Sequence, residues 1–454
     1  MEVWDAYNEN EELMGMDLIR GEPIPKGLYH LVVGVLIRHV DGDFLLMQRD
    51  FGKKDYPGYY EATAGGSALK GESPVEAVFR EAFEETGIQL QRVKEINKVK
   101  YGSSIFYCYL GTADGDKDAI VLQEGETINF KWLNTGDFLE YMASDRCIDL
   151  IKERLATYLE ELWVKHHYPK FEVTPINKGW SEDKKYLLQN KDEKILLRLS
   201  KIEDLPRKEH EFAMLKKVAE LGINTSLPLA LKVENEKVLM TLTWVEGEDL
   251  RKELKQLPKE KQYGLGLEAG RLLKKIHHIP APGGLLGWEE RFNEKIDQKI
   301  RHYRAAGLAF PNDEAFIQFI DANRHLLKGR HQSFLHGDFH EGNLVLTPKG
   351  NIGIIDFNRM DFEDPWQEFS RIIFCSYLSP EFATGRIDGY FDGKAPEEFF
   401  KLLALYIAVN ALSSIIWAEG FKDDDKALMR KLAQREFENY KGFKTYMPNW
   451  YRGS

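Results

Sequence analysis

Residues 80–87 read REAFEETG. Glu81, Glu84 and Glu85 stand at the three- and four-residue offsets that bring side chains onto one face of a helix, where like charges repel. A chain that keeps such a cluster expects a positive partner for it. The frame is GGSALKGESPVEAVFREAFEETGIQL (65–90), in which a Gly-containing loop at 65–73 leads into a helix over 74–86 that Gly87 stops. Val75, Val78, Phe79, Ala82 and Phe83 recur at helical spacing and are expected to form its core face.

Upstream, LYHLVVGVLIRHV and FLLMQRD read as two strands joined at DGD, a hairpin signal. Downstream, strands are expected at about 101–110 and 128–133, and a helix near 146–163 closes this unit. The polar segment VKHHYPKFEVTPINKG carries two prolines, and after it the pattern restarts with KYLLQN and KILLRLS. We place the boundary near 165–170. The first domain is then 1–165 and the second 170–454, the latter with a small sheet lobe over 170–247 and a helical lobe over 248–454. One loop-and-strand region, 333–357, interrupts the helical pattern.

Length and charge fit this division. A chain of 454 residues exceeds what one core usually serves, and 62 basic against 73 acidic residues leave a net charge of −11 with no basic block. Nucleic acid and anionic membranes are therefore not expected partners. The apolar run FFKLLALYIAVNALSSIIWA (399–418) is interrupted by Lys401, Asn410, Ser413 and Ser414 and is expected as a buried core helix. The acidic N-terminus lacks the pattern of a secretory signal, and Cys108, Cys147 and Cys375 form no C-x-x-C pair. A cytoplasmic location is expected.

Gly66, Glu72, Arg80, Glu81, Glu84, Glu85, Gly87 and Ile88 spell G-x5-E-x7-R-E-U-x-E-E-x-G-U, with Ala82 smaller than the usual bulky residue. The stretch resembles the Nudix box, the signature of hydrolases that split a nucleoside diphosphate linked to another group. That resemblance implies an α/β/α sandwich over the first third of the chain. It implies that Glu81, Glu84 and Glu85 hold Mg²⁺ (or Mn²⁺), that Arg80 orients them, that Glu72 adds a supporting carboxylate and that the Gly66 carbonyl completes the ligand set. The physics agrees, because hard divalent cations take oxygen ligands and would cancel the repulsion. Water would then attack a phosphoanhydride while the cations neutralise the growing charge. RGEPIPKGLYHLVVGVLI and PGYYEATAGG resemble the subgroup related to isopentenyl-diphosphate isomerase. That isomerase relies on a cysteine upstream of the box, and EATAGG has none, so hydrolysis is the expected reaction. Glu124 or Glu126 in LQEGETINFKWL is a further candidate ligand or base; a surface strand carrying acids is the alternative.

A second cluster is FLHGDFHEGNLVL (334–346), followed by IGIIDFNRMDFEDPW (352–366). The spacing resembles the H-G-D-x-x-x-x-N and I-I-D-[FW] motifs of aminoglycoside phosphotransferases, which have a bilobal protein-kinase-like fold. The resemblance implies that Asp338 accepts the acceptor hydroxyl's proton, that Asn343 and Asp356 hold Mg²⁺ bridging the phosphates of ATP or GTP, that His336 braces the loop and that Asp364 holds the region together. His336 and His340 are four apart, but Gly337 and Gly342 disfavour a helix and no further His or Cys completes a zinc set.

The preceding lobe departs more from that pattern. Only Gly179 stands where a nucleotide-covering loop would lie, and Arg198 occupies the position that usually carries the phosphate-pairing lysine. Glu211 is the candidate to pair with Arg198, a solvated helix face being the other reading. In VLMTLTWVEGEDL (238–250), Thr243 and Val245 are candidates for backbone contact with the base, a buried strand being the alternative. Gly264, Gly266 and Gly270 fall inside a helical pattern, not at a dinucleotide-binding turn, and His277 and His278 near its end are expected to pack or cap.

The expectation is thus a bifunctional enzyme of mixed α/β fold acting on small molecules: a Mg²⁺-dependent Nudix hydrolase joined to an ATP- or GTP-dependent small-molecule phosphotransferase. The alternative is an active hydrolase carrying a kinase-like unit that senses nucleotide or another ligand without turnover. Neither substrate, nor the oligomeric state, is written in these motifs.

Overall fold

The acidic N-terminus pairs as a hairpin, β1 (Val3–Tyr7) with β2 (Leu13–Ile19), in the computed structural model, which describes residues 2–177, 182–420 and 423–453. The chain divides into two units, Met1–Val173 and Thr174–Ser454. In the first, β3 (His30–His39) and β4 (Phe44–Arg49) meet at the DGD turn, where Gly42 takes a φ of 107°. Short strands β5 (Tyr60–Glu61) and β6 (Thr63–Ala64) precede helix α1 (Pro74–Thr86). Then come β7 (Arg92–Tyr101), β8 (Ser104–Ala113), β9 (Thr127–Leu133), α2 (Thr135–Ala143) and α3 (Asp149–His167).

The sheet runs β5-β4-β3-β8-β7, with β6 also on β3 and β9 also on β4. Its centre, β3 beside β8, is parallel, and parallel neighbours need a crossover, which contains α1. The alternation of β3 sorts two cores. Leu31, Val33, Val35 and Ile37 pack with Ala77, Val78 and Ala82 of α1. Leu36, with Phe44 and Leu46 of β4, packs against Phe138 of α2 and Ile151 and Leu155 of α3. The result is the expected α/β/α layering.

Helix α1 is fixed at both ends. Ser73 and Glu76 form a reciprocal capping box, Pro74 fills the first turn, and Gly87 ends the helix at φ 73°. Its core face is narrower than expected: Val78 and Ala82 are buried, but Val75, Phe79 and Phe83 are exposed, Phe83 by 52%. The loop before it also runs close to the sheet, since a Cβ on Gly65 would lie 2.2 Å from the Val33 carbonyl. The hairpin β1–β2, strand β7 and helix α2 were not anticipated. The segment expected as a linker holds the end of α3 and strand β10 (Glu172–Ile176).

In the second unit β10 joins β11 (Lys184–Gln189) and β12 (Lys194–Lys201); after α4 (Leu205–Glu220), β13 (Pro228–Glu234) and β14 (Lys237–Thr243) complete a sheet of order β10-β11-β12-β14-β13. Lys185 stands directly opposite Arg198 in the antiparallel β11–β12 register. The helical lobe follows with β15 (Glu248–Asp249), α5 (Leu250–Leu254), α6 (Lys259–Ile276), α7 (Trp288–Ala305) and α8 (Asp313–Asn323). Four short strands, β16 (Ser333–Leu335), β17 (Leu344–Leu346), β18 (Ile352–Ile354) and β19 (Asp361–Glu363), frame the loop region. Helices α9 (Ile372–Leu378), α10 (Pro380–Phe391), α11 (Glu397–Ala418) and α12 (Asp423–Asn439) finish the lobe. By length and composition α11 could cross a membrane, yet 72% of its most apolar window is buried inside the lobe, the burial of a core helix.

Two of the three glycines of α6, Gly266 and Gly270, serve packing. A Cβ on Gly266 would lie 2.3 Å from the Phe382 carbonyl and one on Gly270 2.2 Å from that of Arg386, while Gly385 and Gly389 of α10 face α6 in return. Gly264 has open space around its would-be Cβ. In an exposed helix interior Gly→Ala gains about 1 kcal/mol. Gly264→Ala should therefore raise stability in urea unfolding, whereas Gly270→Ala should lower it by about 1–3 kcal/mol through overpacking. Equal effects of the two would contradict a main-chain contact between α6 and α10.

Candidate active sites

In the first unit Arg80, projecting from α1, gathers the acids. Its Nε and Nη2 donate to Glu72 at 2.8 and 2.9 Å, and Nη1 donates to Glu81 at 2.8 Å and to Glu84 at 3.0 Å. Nη2 also reaches the Ser67 carbonyl at 3.1 Å, tying the helix to the preceding loop. Glu72 in turn accepts from the Leu69 amide at 2.9 Å, and Arg80 holds its carboxyl below the ordinary range. Gly66 lies against this cluster: a Cβ there would sit 2.5 Å from a Glu81 carboxylate oxygen. The Gly66 carbonyl accepts from the Val33 amide at 2.8 Å, leaving its second lone pair for a ligand.

Glu85 has no such cation. Burial pushes its carboxyl up to about 8, with the Glu61, Glu81 and Glu126 charges adding to the effect and the Gly65 amide opposing it. Glu81 is raised too, by burial first and by Glu84 and Glu2, against the pull of Arg80. Glu61 was not singled out in the sequence. It sits on β5 and accepts from Arg49 at 2.6 Å, and only the pairing of β5 with β4 brings it toward Glu85's field. Glu126 ion-pairs with Lys53, and Glu124 is exposed. Among the described residues no three His, Cys, Asp or Glu side chains converge closely enough to hold a metal, because Glu81 and Glu84 both turn toward Arg80. The donor set nonetheless suits a hard cation: carboxylate oxygens from two turns of one helix, in a field that penalises their charge.

In the second unit the loop 336–343 is held from several sides. His336, fully buried, accepts the Asp338 amide at its Nδ1 (3.3 Å) and meets the Ile355 carbonyl through Nε2 at 2.9 Å. These bonds place the proton on Nε2, and burial lowers the imidazole's affinity for a second one. Asn343 Nδ2 donates to the Asp338 carbonyl at 2.9 Å. Glu368, unmarked in the sequence, buries its carboxylate beneath the loop and accepts from the Gly337 and Phe339 amides at 3.1 and 3.2 Å. Gly337 has a φ of 83° and a would-be Cβ 1.8 Å from the Arg359 carbonyl, so no other residue fits. Asp364 is fully buried and takes a forked pair from Arg330 at 2.7 and 2.9 Å plus the Tyr406 hydroxyl at 2.7 Å.

Asp338 faces Arg371 Nε at 3.3 Å, His340 Nε2 at 3.7 Å and Arg359 Nε at 4.0 Å. Burial would raise its carboxyl, but His340, Arg371 and Arg359 outweigh it and hold the group ionised. His340 Nδ1 accepts the Gly342 amide at 3.0 Å and so forms no metal pair with His336. A cavity of about 210 Å³ shares Arg359 and Arg371 with this site and is lined also by Gly337, Asp361 and Glu368. Asp356 stands at a φ of 68°, a backbone state few non-glycine residues hold and one that recurs at functional sites. Lys185 donates to it at 3.0 Å.

Arg198 is near enough for its charge to help hold the Asp356 carboxyl down, but its hydrogen bonds go to other acids. Its Nε donates to Asp183 at 3.0 Å, its remaining nitrogens bond Asp183 and Glu211, and Lys208 joins the same two acids at 2.6 and 3.2 Å. All four side chains are no more than 3% exposed. The expected Arg198–Glu211 pair is therefore present, but buried inside the sheet lobe. Thr243 is likewise engaged: its amide donates to the Leu227 carbonyl and its hydroxyl accepts the Leu227 amide. Val245 lies just past the strand and is buried. Gly179 falls outside the described residues. His277 bonds the Tyr390 hydroxyl at 3.0 Å and His278 the Lys274 carbonyl at 2.6 Å, the packing and capping roles expected of them.

The family model described as Phosphotransferase enzyme family (APH) matches residues 172–400, and that of the NUDIX domain matches 28–149. An uncharacterised Nudix hydrolase of Listeria monocytogenes is 32% identical over 163 residues, covering 33% of this chain and 95% of that protein. The isopentenyl-diphosphate Delta-isomerase of Streptomyces coelicolor is 34% identical over 77 residues, 17% of this chain and 39% of the isomerase. A crystal structure of a thermostable mutant of aminoglycoside phosphotransferase APH(4)-Ia in its apo form superposes at a TM-score of 0.47 with 15% identity, covering 63% of this chain and all of that one. The chain therefore belongs to the Nudix hydrolases through its first unit and to the APH phosphotransferase family through its second, two enzyme families joined in one protein.

Proposed function

We propose that the first unit hydrolyses a phosphoanhydride in a nucleoside-diphosphate-linked compound, and that the second transfers phosphate from ATP or GTP to a hydroxyl of a small polar molecule. Divalent Mg²⁺ or Mn²⁺, held by Glu81, Glu84 and Glu85 in one unit and by Asn343 and Asp356 in the other, would supply charge neutralisation at the phosphates. Support for the first half comes from the unbalanced carboxylates of Glu81 and Glu85, which a cation would relieve. Arg80 keeps the acids gathered, and Glu72 fixes Arg80. Support for the second half comes from Asp338, kept ionised beside Arg359 and Arg371, two residues that also line a cavity carrying charges of both signs. There Asp338 takes the acceptor hydroxyl's proton as that oxygen attacks phosphorus, while His336 and Glu368 hold the loop. Three buried, unpaired cysteines suit a cytoplasmic protein.

The two halves should separate by mutation. Asp338→Asn should lower phosphotransfer by about 10²–10⁴-fold, the usual worth of a general base, without changing hydrolysis. Glu85→Gln should do the converse. Release of inorganic phosphate or a nucleoside monophosphate from a panel of diphosphate compounds, read alongside labelled phosphate moving to hydroxyl acceptors, checks both. Loss of both activities in either variant would sink the assignment.

Glu85 also gives the metal-free protein a defined pH response. Its carboxyl, raised to about 8 in the fold from an ordinary 4.5, binds a proton in the folded state that the unfolded chain has already lost. Stability of the first unit should therefore fall as pH rises from about 5 to 8. Added Mg²⁺ should raise its melting temperature more at pH 8 than at pH 6, and Glu85→Gln should flatten both trends. A metal effect independent of pH would rule this out.

A further inference from the structure

We infer that Lys185, and not Arg198, is the cation this chain offers to the phosphates of the nucleotide; the inference rests on the phosphotransfer reading above. The two residues are direct partners across the antiparallel β11–β12 ladder, so their side chains leave the sheet on the same face. What separates them is how each is engaged.

Arg198 is committed. Its guanidinium, with Lys208, faces Asp183 and Glu211, giving two cations and two anions in a cluster closed from water. Ser200 donates a further bond to Asp183 at 2.8 Å, so that carboxylate is held from three directions. Moving Arg198 onto a phosphate would take a cation from two buried acids, and a buried charge that loses its partner is strongly destabilising.

Lys185 is committed only at its tip. Its ammonium reaches from the sheet lobe to Asp356, 3.0 Å away on the segment after β18, and its side chain keeps 11% of its exposure. Asp356 is the carboxylate that would hold the divalent cation in the phosphotransfer reading, and Lys185, 3.0 Å from it, would stand beside the phosphates that cation neutralises. An ammonium with three donors on a flexible stem can pass from the carboxylate to the phosphate oxygens without disturbing the sheet. Arginine at the position where a lysine is usual is then no defect. The phosphate contact has moved to the neighbouring strand, and Arg198 with Glu211 keeps the structural half of the task.

Nucleotide affinity of the full chain tests this, with ATP, GTP, ADP, adenosine and guanosine as probes, each with Mg²⁺ and with EDTA. Lys185→Met and Lys185→Gln should each weaken triphosphate binding about tenfold or more, as loss of a charge-assisted bond does, and leave nucleoside binding unchanged. Lys185→Arg should recover most of that loss. Arg198→Lys should lower the melting temperature while the folded protein binds triphosphate as wild type does. Triphosphate affinity unchanged in both Lys185→Met and Lys185→Gln would overturn the inference, as would a loss confined to Arg198→Lys at an unaltered melting temperature. Wild-type protein that binds none of the phosphorylated probes would overturn the phosphotransfer reading itself, and the inference with it.

Discussion

A carboxylate taken out of water has to be met by a cation or by hydrogen-bond donors, and both units are arranged around that requirement. In the first, Arg80 spreads one guanidinium over Glu72, Glu81 and Glu84, which fixes the helix against its loop but leaves Glu85 without a cation. In the second, backbone amides meet Glu368, Arg330 and Tyr406 meet Asp364, and Arg198 with Lys208 meets Asp183 and Glu211. Glu368, Asp364, Asp183 and Glu211, each held by several partners, act as framework. Where satisfaction is partial, at Glu85 and Asp356, lie the places to which the family resemblance assigns metals.

How the chain shows this varies with distance along it. The box helix was legible because every signal was local: Ser73, Pro74 and Gly87 mark its ends, and the acids repeat within two turns. The loop at 336–343 was legible for the same reason, a run of fixed spacings followed by an apolar strand. Glu61, Glu368 and Lys185 carry no local mark, since each acquires its role through a partner on another element: Arg49 and the field at Glu85, the amides of Gly337 and Phe339, and Asp356. Phe79 and Phe83 misled for a related reason. Helical period gives an apolar stripe, but the face that packs on β3 carries the smaller Ala77, Val78 and Ala82 and leaves both phenylalanines outside.

The strands that escaped notice share a physical cause. Strand β7 reads RVKEINKVKY and lies at a sheet edge with mostly exposed side chains, so its apolar alternation is weak and its pairing with β8 supplies the order. The hairpin β1–β2 likewise leaves Leu13, Met14 and Met16 exposed. Strand β10 was hidden by Pro175, which reads as a linker residue although an edge strand accommodates it.

The glycine contact between α6 and α10 reaches further than packing. Arg386, whose carbonyl Gly270 touches, is buried with its guanidinium 4.7 Å from the rings of both Phe339 and Phe369. Phe339 follows Asp338 directly. Asp338, the proposed base, is thus registered against a datum made of main-chain atoms, which have no rotamers to exchange, and its position is set by how closely two helices are allowed to approach each other.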